Sequence, residues 1–312
     1  MARRALSPRL EQMPSKDADD DVRIRWLKQD YWLGYETSKH IREALKDLLE
    51  YPEVTRMPNL SIIGKPHSGK TALLKKFVSE NTPAVDPSKF STDSPILMID
   101  APPSPSETRL YSALLSKLGM SGPATERVES KQERLSSLLD DLNVRMIIID
   151  EFNRSLKGGG TGLGALMSAI RDIGNTHKIT FVLAGTEDVH SLLATDQQQA
   201  SRFPPMFTRR WVDDMETRRL LRSITDLLPL RGPVNLIGDK SVNNLLTFSE
   251  GILGEIIDIV RKLAIDAIKG PPKSTGLPPE AIGVAHITKS NLRRLGHVRP
   301  SIRAFSEAES AA

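Results

Sequence analysis

The sequence predicts an α/β fold, in which helices flank a parallel β-sheet and a smaller all-helical region follows. Three features support this prediction. An apolar run at 60–63 leads into a glycine-bounded loop and then into a helical pattern. A second apolar run, at 146–149, ends in two adjacent carboxylates, and from residue 216 onward apolar residues recur at helical spacing. Short continuous apolar runs are typical of parallel strands that are buried on both faces.

The remaining elements follow from the same patterns. Strands are predicted where β-branched and other apolar residues are continuous, at 60–63, 96–99, 146–149, 179–184 and 211–212. Helices are predicted where apolar residues recur every three to four positions, at 41–49, 107–118, 127–142, 163–173, 220–228, 242–246 and 256–268. Prolines and glycines end several of them, and Thr288 is expected to begin a last short helix.

The loop between the first strand and the first helix of the sheet matches the Walker A pattern. Its two glycines allow a tight turn that points backbone N–H groups at phosphate oxygens, and the helix behind it adds the positive end of its dipole. Lys70 is expected to bind the β- and γ-phosphates, and Thr71 to ligate Mg²⁺. We therefore expect ATP to be bound by Gly64, Lys65, Pro66, His67, Ser68, Gly69, Lys70 and Thr71.

The carboxylates that end the 146–149 run supply the complementary half of an ATPase site. Asp150 is expected to hold Mg²⁺ through water, and Glu151 to orient and polarise the attacking water. The structural alternative is a core strand followed by a solvated acidic turn. A P-loop about 80 residues upstream favours the ATPase interpretation.

Two further residues are candidates for catalysis. Thr186 follows the strand at 179–184, where it is expected to touch the γ-phosphate or the water; capping of the strand end is the alternative. Arg202 precedes a proline stop at a helix end, an exposed position from which a guanidinium reaches a neighbouring subunit's phosphate site. Arg209 and Arg210 compete with it for this role, and ordinary surface charge is the remaining alternative.

Composition limits the class of protein. The 312 residues suffice for one nucleotide-binding domain of about 200 residues and a smaller companion. There is no cysteine, which excludes a disulfide framework and a cysteine-ligated zinc. No apolar stretch approaches the ~20 residues that cross a bilayer, and the N-terminus lacks a signal core, so we expect a cytoplasmic protein without a membrane partner. The net charge of +4 permits a polyanionic partner, whereas 5% aromatic residues argues against a stacking platform for single strands.

The composition along the chain suggests five regions. They are a disordered arm at 1–21, an N-terminal helical segment at 22–58, an α/β core at 59–213, a helical lid at 214–270, and a linker with a basic tail at 271–312. Aromatic residues between 26 and 35 either pack over an adenine ring or fasten the N-terminal helices to the core. The tail carries Lys289, Arg293, Arg294, Arg299 and Arg303, which suit a phosphate backbone, an acidic protein face, or a solvated surface.

With these motifs in order, the chain resembles an AAA+ ATPase over about residues 40–270. More narrowly, it resembles the TniB family of transposition ATPases, which is related to TnsC and more distantly to MuB. The segments that carry this narrower resemblance are 26–35, 59–74, 95–102, 150–153 and 183–186. The resemblance implies a P-loop NTPase core with a five-stranded parallel sheet in the order 5-1-4-3-2 and a small all-α lid.

The resemblance also implies a function. Such proteins assemble with ATP into rings or helical filaments on duplex DNA, mark the target, and recruit the transposase TniA and the target-selection protein TniQ. Slow ATP hydrolysis would drive disassembly and reset target choice. The alternative is a nucleotide-dependent switch or loader that acts on a protein partner without stable DNA binding.

Two parts of the family pattern do not transfer directly. Gly254 stands where many AAA+ lids carry a sensor arginine, and Arg261 or Lys262 would have to substitute. DNA contacts rest on scattered basic residues, so candidates come from position alone, and backbone contact would make binding salt-sensitive and nearly sequence-blind. A glycine-rich loop at 158–162 is either a flexible connector or part of a functional loop that bears Arg154 and Lys157. The candidate DNA contacts near the Asp150 strand are Lys117, Arg127, Lys131, Arg154 and Lys157.

Overall fold

The computed structural model describes residues 12–83, 93–123, 125–158, 160–270 and 280–297. It divides into two compact units. The sheet unit comprises Glu36–Arg209, and the helical unit comprises Met1–Tyr35 together with Arg210–Ala312. The boundary between residues 35 and 36 passes through the N-terminal segment predicted at 22–58.

The sheet unit contains five strands, all paired in parallel. They are β1 (Leu60–Ile63), β2 (Ile96–Asp100), β3 (Met146–Asp150), β4 (Thr180–Gly185) and β5 (Pro205–Phe207). The spatial order is β2-β3-β4-β1-β5, which read from the other edge is the predicted 5-1-4-3-2. In the register of the central strands, Ile63 lies opposite Gly185 and Ile149 opposite Leu183.

Helices follow the strands and supply the remaining layers. In chain order, the described helices are α1 (Asp20–Lys28), α2 (Glu36–Leu49), α3 (Lys70–Asn81), α4 (Glu107–Lys117), α5 (Val128–Asp141), the 3-10 helix Phe152–Gly158, α6 (Gly160–His177), α7 (Glu187–Thr195), α8 (Gln197–Arg202), α9 (Met215–Asp226), α10 (Asp239–Ser249), α11 (Leu253–Lys269) and α12 (Lys289–Arg294). Among the described residues, no helix combines the length and the apolar character needed to span a membrane.

The core of the sheet unit explains why the predicted strands form. Every residue of β1, β3 and β4 is buried, as expected for parallel strands covered on both faces. Ile147 and Leu183 pack in one apolar cluster with helix residues such as Leu114 and Leu166. This packing fixes the carboxyl ends of β1, β3 and β4, from which the loops of the candidate site emerge.

The fifth strand lies earlier in the chain than the sequence predicts. The predicted strand at 211–212 is wrong, because Met206 of β5 is the residue that pairs with Ile62. Pro205 and Phe207 are exposed, as an edge strand allows, and an edge position also tolerates a proline. Trp211 is instead buried in the apolar cluster of the helical unit.

The helical unit has a core of its own, formed by α9, α10 and α11 together with both ends of the described chain. Ile24 of α1 and Ile287 are among its buried residues. The predicted disordered arm is therefore wrong from residue 12 onward: α1 begins at Asp20, and Arg231 Nε donates to Lys16 O at 3.1 Å. Residues 1–11 lie outside the described ranges.

The predicted linker and tail at 271–312 also needs correction. Ile282 and Leu292 are buried in the helical unit, so residues 280–297 are part of its packed structure. Thr288 begins α12 as predicted, since its hydroxyl accepts a hydrogen bond from Asn291 N at 3.3 Å. Residues 271–279 and 298–312, which include Arg299 and Arg303, lie outside the described ranges.

A buried ion pair joins the two distant parts of the helical unit. Arg23 is 0% exposed, and its guanidinium donates to both carboxylate oxygens of Glu280, at 2.7 and 2.9 Å. The same guanidinium also donates to Pro229 O at 3.0 Å. Glu280 accepts a further bond from Arg231 N at 2.8 Å. These contacts fix α1 against residues 229–231 and the segment that begins at 280.

Candidate functional site

The Walker A loop links β1 to α3, and its glycines occupy positions that a side chain would not fit. Gly69 directly precedes α3 with φ 92°, in the left-handed region that favours glycine. At Gly64, an added Cβ would lie 1.8 Å from Thr208 Oγ1 and 2.8 Å from Ser68 Oγ. The loop therefore closes tightly over the start of α3, whose first N–H groups lack partners within the helix.

The loop carries a buried cation and a free hydroxyl. Lys70 is 5% exposed, and its Nζ donates to Gly64 O at 2.8 Å and to Lys65 O at 3.0 Å. Burial lowers the pKa of Lys70, against the opposing effect of nearby Glu151 and Asp150. The Ser68 Oγ is buried and has no hydrogen-bond partner among the described residues. The Lys70 ammonium, bound by carbonyls of the preceding loop, and the unpaired Ser68 hydroxyl are groups that a phosphate-binding loop would use to contact phosphate oxygens.

The P-loop is joined directly to β3. Thr71 Oγ1 donates to Asp150 Oδ2 at 2.6 Å, and Glu151 N donates to Asp150 Oδ1 at 2.8 Å. Asp150 is 1% exposed, and burial raises its pKa, whereas the hydrogen bonds from Thr71 and Glu151 act in the opposite direction. A hydroxyl and a carboxylate in contact are the oxygen ligands that Mg²⁺ prefers, so these two side chains fit the predicted metal site.

Glu151 is held in an unusual backbone conformation at the end of β3. Its φ is 52°, which is rare outside glycine, and its carbonyl accepts a bond from Arg154 N at 2.8 Å. Asn153 Nδ2 donates to Glu151 Oε2 at 3.3 Å, while Asn153 Oδ1 is buried without a partner in the described structure. Asn153 is not among the residues that the sequence predicts for the site, although it follows Glu151 by two positions.

Thr186 lies at the same edge of the sheet as the P-loop and Asp150. It follows β4, the strand between β1 and β3, and precedes α7. Its hydroxyl donates to Asp188 Oδ2 at 3.3 Å and does not cap a backbone N–H of α7. The topology thus places Thr186 between the phosphate loop and the acidic strand, and its sensor role stays a prediction.

Arg202 lies at the opposite edge. It ends α8 and lines a small cavity with Asn59 and Ile179, which directly precede β1 and β4. At about 3.3 Å per residue, four strand residues separate this edge from the P-loop by roughly 13 Å. Arg202 therefore does not reach the phosphate site of its own chain. Of the competing arginines, Arg210 donates to Glu250 O at 3.2 Å within the helical unit.

The residues proposed as substitutes for the lid sensor are engaged inside the helical unit. Arg261 Nε donates to Leu27 O at 2.9 Å and its Nη1 to Asp258 at 2.9 Å. Lys262 Nζ donates to Gly296 O at 3.2 Å. Gly254 lies in the first turn of α11. Both cationic groups thus already have partners in their own unit.

The N-terminal aromatic residues pack within the helical unit. Trp26 is buried and its Nε1 donates to Leu227 O at 3.1 Å. The rings of Tyr35 and Trp211 meet edge to face at 5.1 Å, and burial raises the pKa of Tyr35 to about 12. The segment is therefore fastened to the helical unit, and a contact of its aromatic residues with the adenine ring stays a prediction.

One predicted DNA contact is corrected by the structure. Lys131 is 5% exposed, and its ammonium donates to Ser112 Oγ at 3.1 Å between α5 and α4. A buried ammonium is not available to a phosphate backbone, so the predicted contact of Lys131 with DNA is wrong. A charged side chain is expected to be exposed, but the packing of α5 against α4 buries this one.

The other DNA candidates remain untested by the fold. Lys117 and Arg127 are exposed. The side chain of Arg154 is 47% exposed, and its Nη1 lies 3.9 Å from Asp100 Oδ2 at the carboxyl edge of the sheet. The side chain of Lys157 lies outside the described structure.

Comparison with known proteins identifies the family and the fold. The family model described as bacterial TniB protein matches residues 23–213. A search of curated proteins found no match. Among solved structures, the Orc1 protein of Aeropyrum pernix in complex with DNA is 16% identical, with a TM-score of 0.60 over 87% of this chain and 69% of that one.

Two other solved structures agree. Cdc6p from Pyrobaculum aerophilum is 14% identical, with a TM-score of 0.54 over 89% of this chain and 70% of that one. The Aeropyrum pernix ORC2 protein, in ADPNP and ADP complexes, is 16% identical, with a TM-score of 0.57 over 86% of this chain and 71% of that one. These likenesses show an AAA+ P-loop fold, as the sequence predicts. Because the family model covers more than half of its length, the chain belongs to the TniB family.

Proposed function

We propose that this protein is an ATP-dependent regulator of DNA transposition. In this proposal it assembles with ATP on duplex DNA without sequence preference, recruits the transposase TniA, works with the target-selection protein TniQ, and disassembles when ATP is slowly hydrolysed. Membership of the TniB family supports the biological role. The observation that carries the ATPase activity is the contact between Thr71 and Asp150, which joins the phosphate loop to the acidic strand.

Each residue of the site has a distinct task in hydrolysis. Lys70 would exchange its two carbonyl partners for phosphate oxygens, since an ammonium binds anionic oxygens more strongly than neutral ones. Thr71 and Asp150 would hold Mg²⁺, which supplies charge neutralisation at the phosphates. Glu151 would accept the proton of the attacking water, and Asn153 would hold the Glu151 carboxylate in place.

The position of Arg202 supports hydrolysis between subunits. Arg202 lies at the edge of the sheet away from its own P-loop, so it would complete the site of a neighbouring copy. A contact between two different surfaces is heterologous, and repetition of it generates rings or helical filaments. The Arg202→Ala variant should keep its nucleotide affinity and lose hydrolysis by a factor of about 10³ or more.

DNA binding is supported by charge and by the fold. The net charge of +4 permits a polyanionic partner, and exposed Lys117, Arg127 and Arg154 are available for phosphate contacts. The Aeropyrum pernix Orc1 structure, which shares the fold, is a DNA complex. Contacts to the DNA backbone would be nearly blind to sequence, as target marking requires.

A salt titration of duplex binding tests the proposal. We expect binding that requires ATP, weakens steeply with salt, and disappears in Lys70→Ala. Electron microscopy of the same samples should show rings or filaments only when ATP and DNA are both present. Hydrolysis without any ATP-dependent, salt-sensitive duplex binding would instead support the alternative, a switch that acts on a protein partner.

A further inference from the structure

Arginines are concentrated at the amino edge of the sheet, the edge opposite the P-loop. Arg56 precedes β1, Arg145 precedes β3, Arg171 lies near the end of α6 before β4, and Arg202 precedes β5. Arg145 has a structural role, because it donates to Leu49 O at 3.2 Å and to Tyr51 O at 2.8 Å. The other three, Arg56, Arg171 and Arg202, form the arginine cluster.

The members of the arginine cluster lie close together. Arg171 and Arg202 line the same cavity, whose volume of about 10 Å³ leaves room for no more than one water. Arg56 Nη2 donates at 3.3 Å to the hydroxyl of Ser201, the residue next to Arg202. Arg171 Nη2 donates to Ser168 Oγ at 2.7 Å. Arg171 and Arg202 thus line a cavity that is too small to hold an anion, and Arg56 contacts the residue next to Arg202.

The arginine cluster lacks sufficient counter-charge. Asp172 Oδ1 lies 3.8 Å from Arg171 Nε and is itself largely exposed. Asp196 is engaged in capping α8, where it accepts from Gln198 N at 2.8 Å. The guanidinium of Arg202 has no hydrogen bond or ion pair within the described ranges. Burial lowers its pKa, and the positive charges of Arg56 and Arg171 lower it further. An anion from outside would remove this repulsion.

An anion that neutralises the arginine cluster would not be the nucleotide of the same chain, because the P-loop lies at the other edge of the sheet. That other edge carries the carboxylates of Asp100, Asp150, Glu151, Glu187 and Asp188. It also carries Lys65, Lys70 and Arg154, and a bound triphosphate would add negative charge there. Stacking the two edges head to tail would bring the arginine cluster of one copy to the phosphates held by the next. Beside Arg171, a cleft of about 190 Å³ lined by Leu163, Met167 and Leu192 offers apolar surface to the same neighbour.

We infer that Arg171 acts together with Arg202 on the triphosphate bound by a second copy of the chain, with Arg56 flanking them. This inference rests on the proposed ATPase function and adds a second arginine to it. When water attacks the γ-phosphorus, the bond to the β–γ bridging oxygen breaks and ADP leaves with the electron pair, while the water's proton passes to Glu151. Two guanidiniums at this point would neutralise more of the developing charge than one.

Single variants measure the size of the effect. In Arg171→Ala we expect ATP hydrolysis to fall about 10- to 100-fold, the worth of one charge-assisted hydrogen bond, while nucleotide affinity of the dilute protein stays within about 2-fold. The hydrolysis rate of Arg171→Lys should lie between those of the wild type and Arg171→Ala, because lysine keeps the charge but lacks the planar guanidinium. The matched control is Arg109→Ala, an exposed arginine of α4 outside the arginine cluster, which should hydrolyse normally.

Mixing defective variants tests action between copies. Arg171→Ala subunits keep Glu151, and Glu151→Gln subunits keep Arg171, so an equimolar mixture should hydrolyse ATP faster than the sum of the two alone. The mixture of Lys70→Ala with Glu151→Gln should show no gain, because both defects lie in the site of their own chain. Arg202→Ala mixed with Glu151→Gln provides the positive comparison.

The outcomes separate this inference from the proposed function. If hydrolysis recovers when Glu151→Gln is mixed with Arg202→Ala but not when it is mixed with Arg171→Ala, the role of Arg171 is overturned and the proposed function stays intact. A wild-type protein without ATPase activity would overturn both. If Arg171→Ala weakens ATP-dependent duplex binding but hydrolyses ATP normally in the absence of DNA, the anion is DNA and the inference is wrong.

Discussion

The hydroxyl of Thr71 donates a 2.6 Å hydrogen bond to Asp150, a residue 79 positions further along the chain. This bond joins the start of α3 to the end of β3 and brings together the two side chains proposed to hold Mg²⁺. The proposed metal site is thus preassembled by a contact within the protein. Preassembly matters because ligands held in place lose little freedom when they bind.

The first prediction concerns this contact. Thr71→Val keeps the shape of the side chain but removes the hydroxyl, so it should lose a metal ligand and leave buried Asp150 without that partner. We expect Mg²⁺-dependent hydrolysis to fall about 100-fold or more. Thr71→Ser, which keeps the hydroxyl, should retain most activity. Titration of hydrolysis against Mg²⁺ checks this, and equal activity of the two variants would contradict the assignment.

The second prediction separates the carboxylate of Glu151 from its positioning residue. Glu151→Gln should bind ATP normally, release no phosphate, and form long-lived assemblies on DNA. Asn153→Ala should reduce kcat about 10-fold with unchanged ATP affinity, because Glu151 Oε2 loses a donor at 3.3 Å. Single-turnover phosphate release distinguishes the two variants. Normal phosphate release by Glu151→Gln would rule out its role as the base.

The third prediction tests the close contact between Gly64 and Thr208. A Cβ at Gly64 would lie 1.8 Å from Thr208 Oγ1 and 3.0 Å from its Cβ. Gly64→Ala should therefore distort the loop and weaken ATP binding about 10-fold or more, an effect of 1–3 kcal/mol for overpacking. Gly64→Ala combined with Thr208→Gly should regain part of the affinity. Calorimetric titration with ATP measures both, and a lack of recovery would show that the clash lies elsewhere.

The fourth prediction concerns acid stability of the helical unit. The hydrogen bond from Arg23, with that from Arg231 N, holds the pKa of Glu280 below its ordinary value near 4.5. Since the folded pKa is lower than the unfolded one, the stabilisation is complete above about pH 4.5 and is lost as pH falls through the folded pKa. Glu280→Gln should cost about 3 kcal/mol at neutral pH, because Arg23 stays buried with less counter-charge. The cost should shrink below about pH 4.

Tryptophan fluorescence provides a selective readout for this prediction. All three tryptophans, Trp26, Trp32 and Trp211, belong to the helical unit. Denaturant unfolding followed at these residues therefore reports on that unit. Asp20→Asn is the matched control, because Asp20 pairs with Arg23 from a largely exposed position and should contribute less than about 1 kcal/mol. An effect of Asp20→Asn as large as that of Glu280→Gln would contradict the buried pair as the source.

The parts of the site that local sequence determines were predictable. Gly64, Gly69, Lys70 and Thr71 lie in one uninterrupted stretch, 64–71, and their chemistry requires these residue types at this spacing. Asp150 ends an apolar run that is buried as expected. The order of the sheet followed from the family resemblance rather than from the periodicity of the strands.

Features that depend on distant partners were not predictable. β5 is an exposed edge strand that begins with a proline, so its pairing with β1 leaves no apolar pattern to detect. Lys131 is buried where its ammonium donates a hydrogen bond to Ser112 Oγ of another helix. Arg23 and Glu280 are 257 residues apart, and neither signals the other in the sequence. In each case the deciding interaction forms only after the chain has folded.

The course of the chain through the two units has a practical consequence. The sheet unit is one continuous stretch, Glu36–Arg209, whereas the helical unit is built from two segments that flank it. A recombinant fragment with ends near residues 36 and 209 would carry the whole Walker site and the arginine cluster. The flanking unit can be produced as a single polypeptide only by circular permutation or by an artificial join between its two halves.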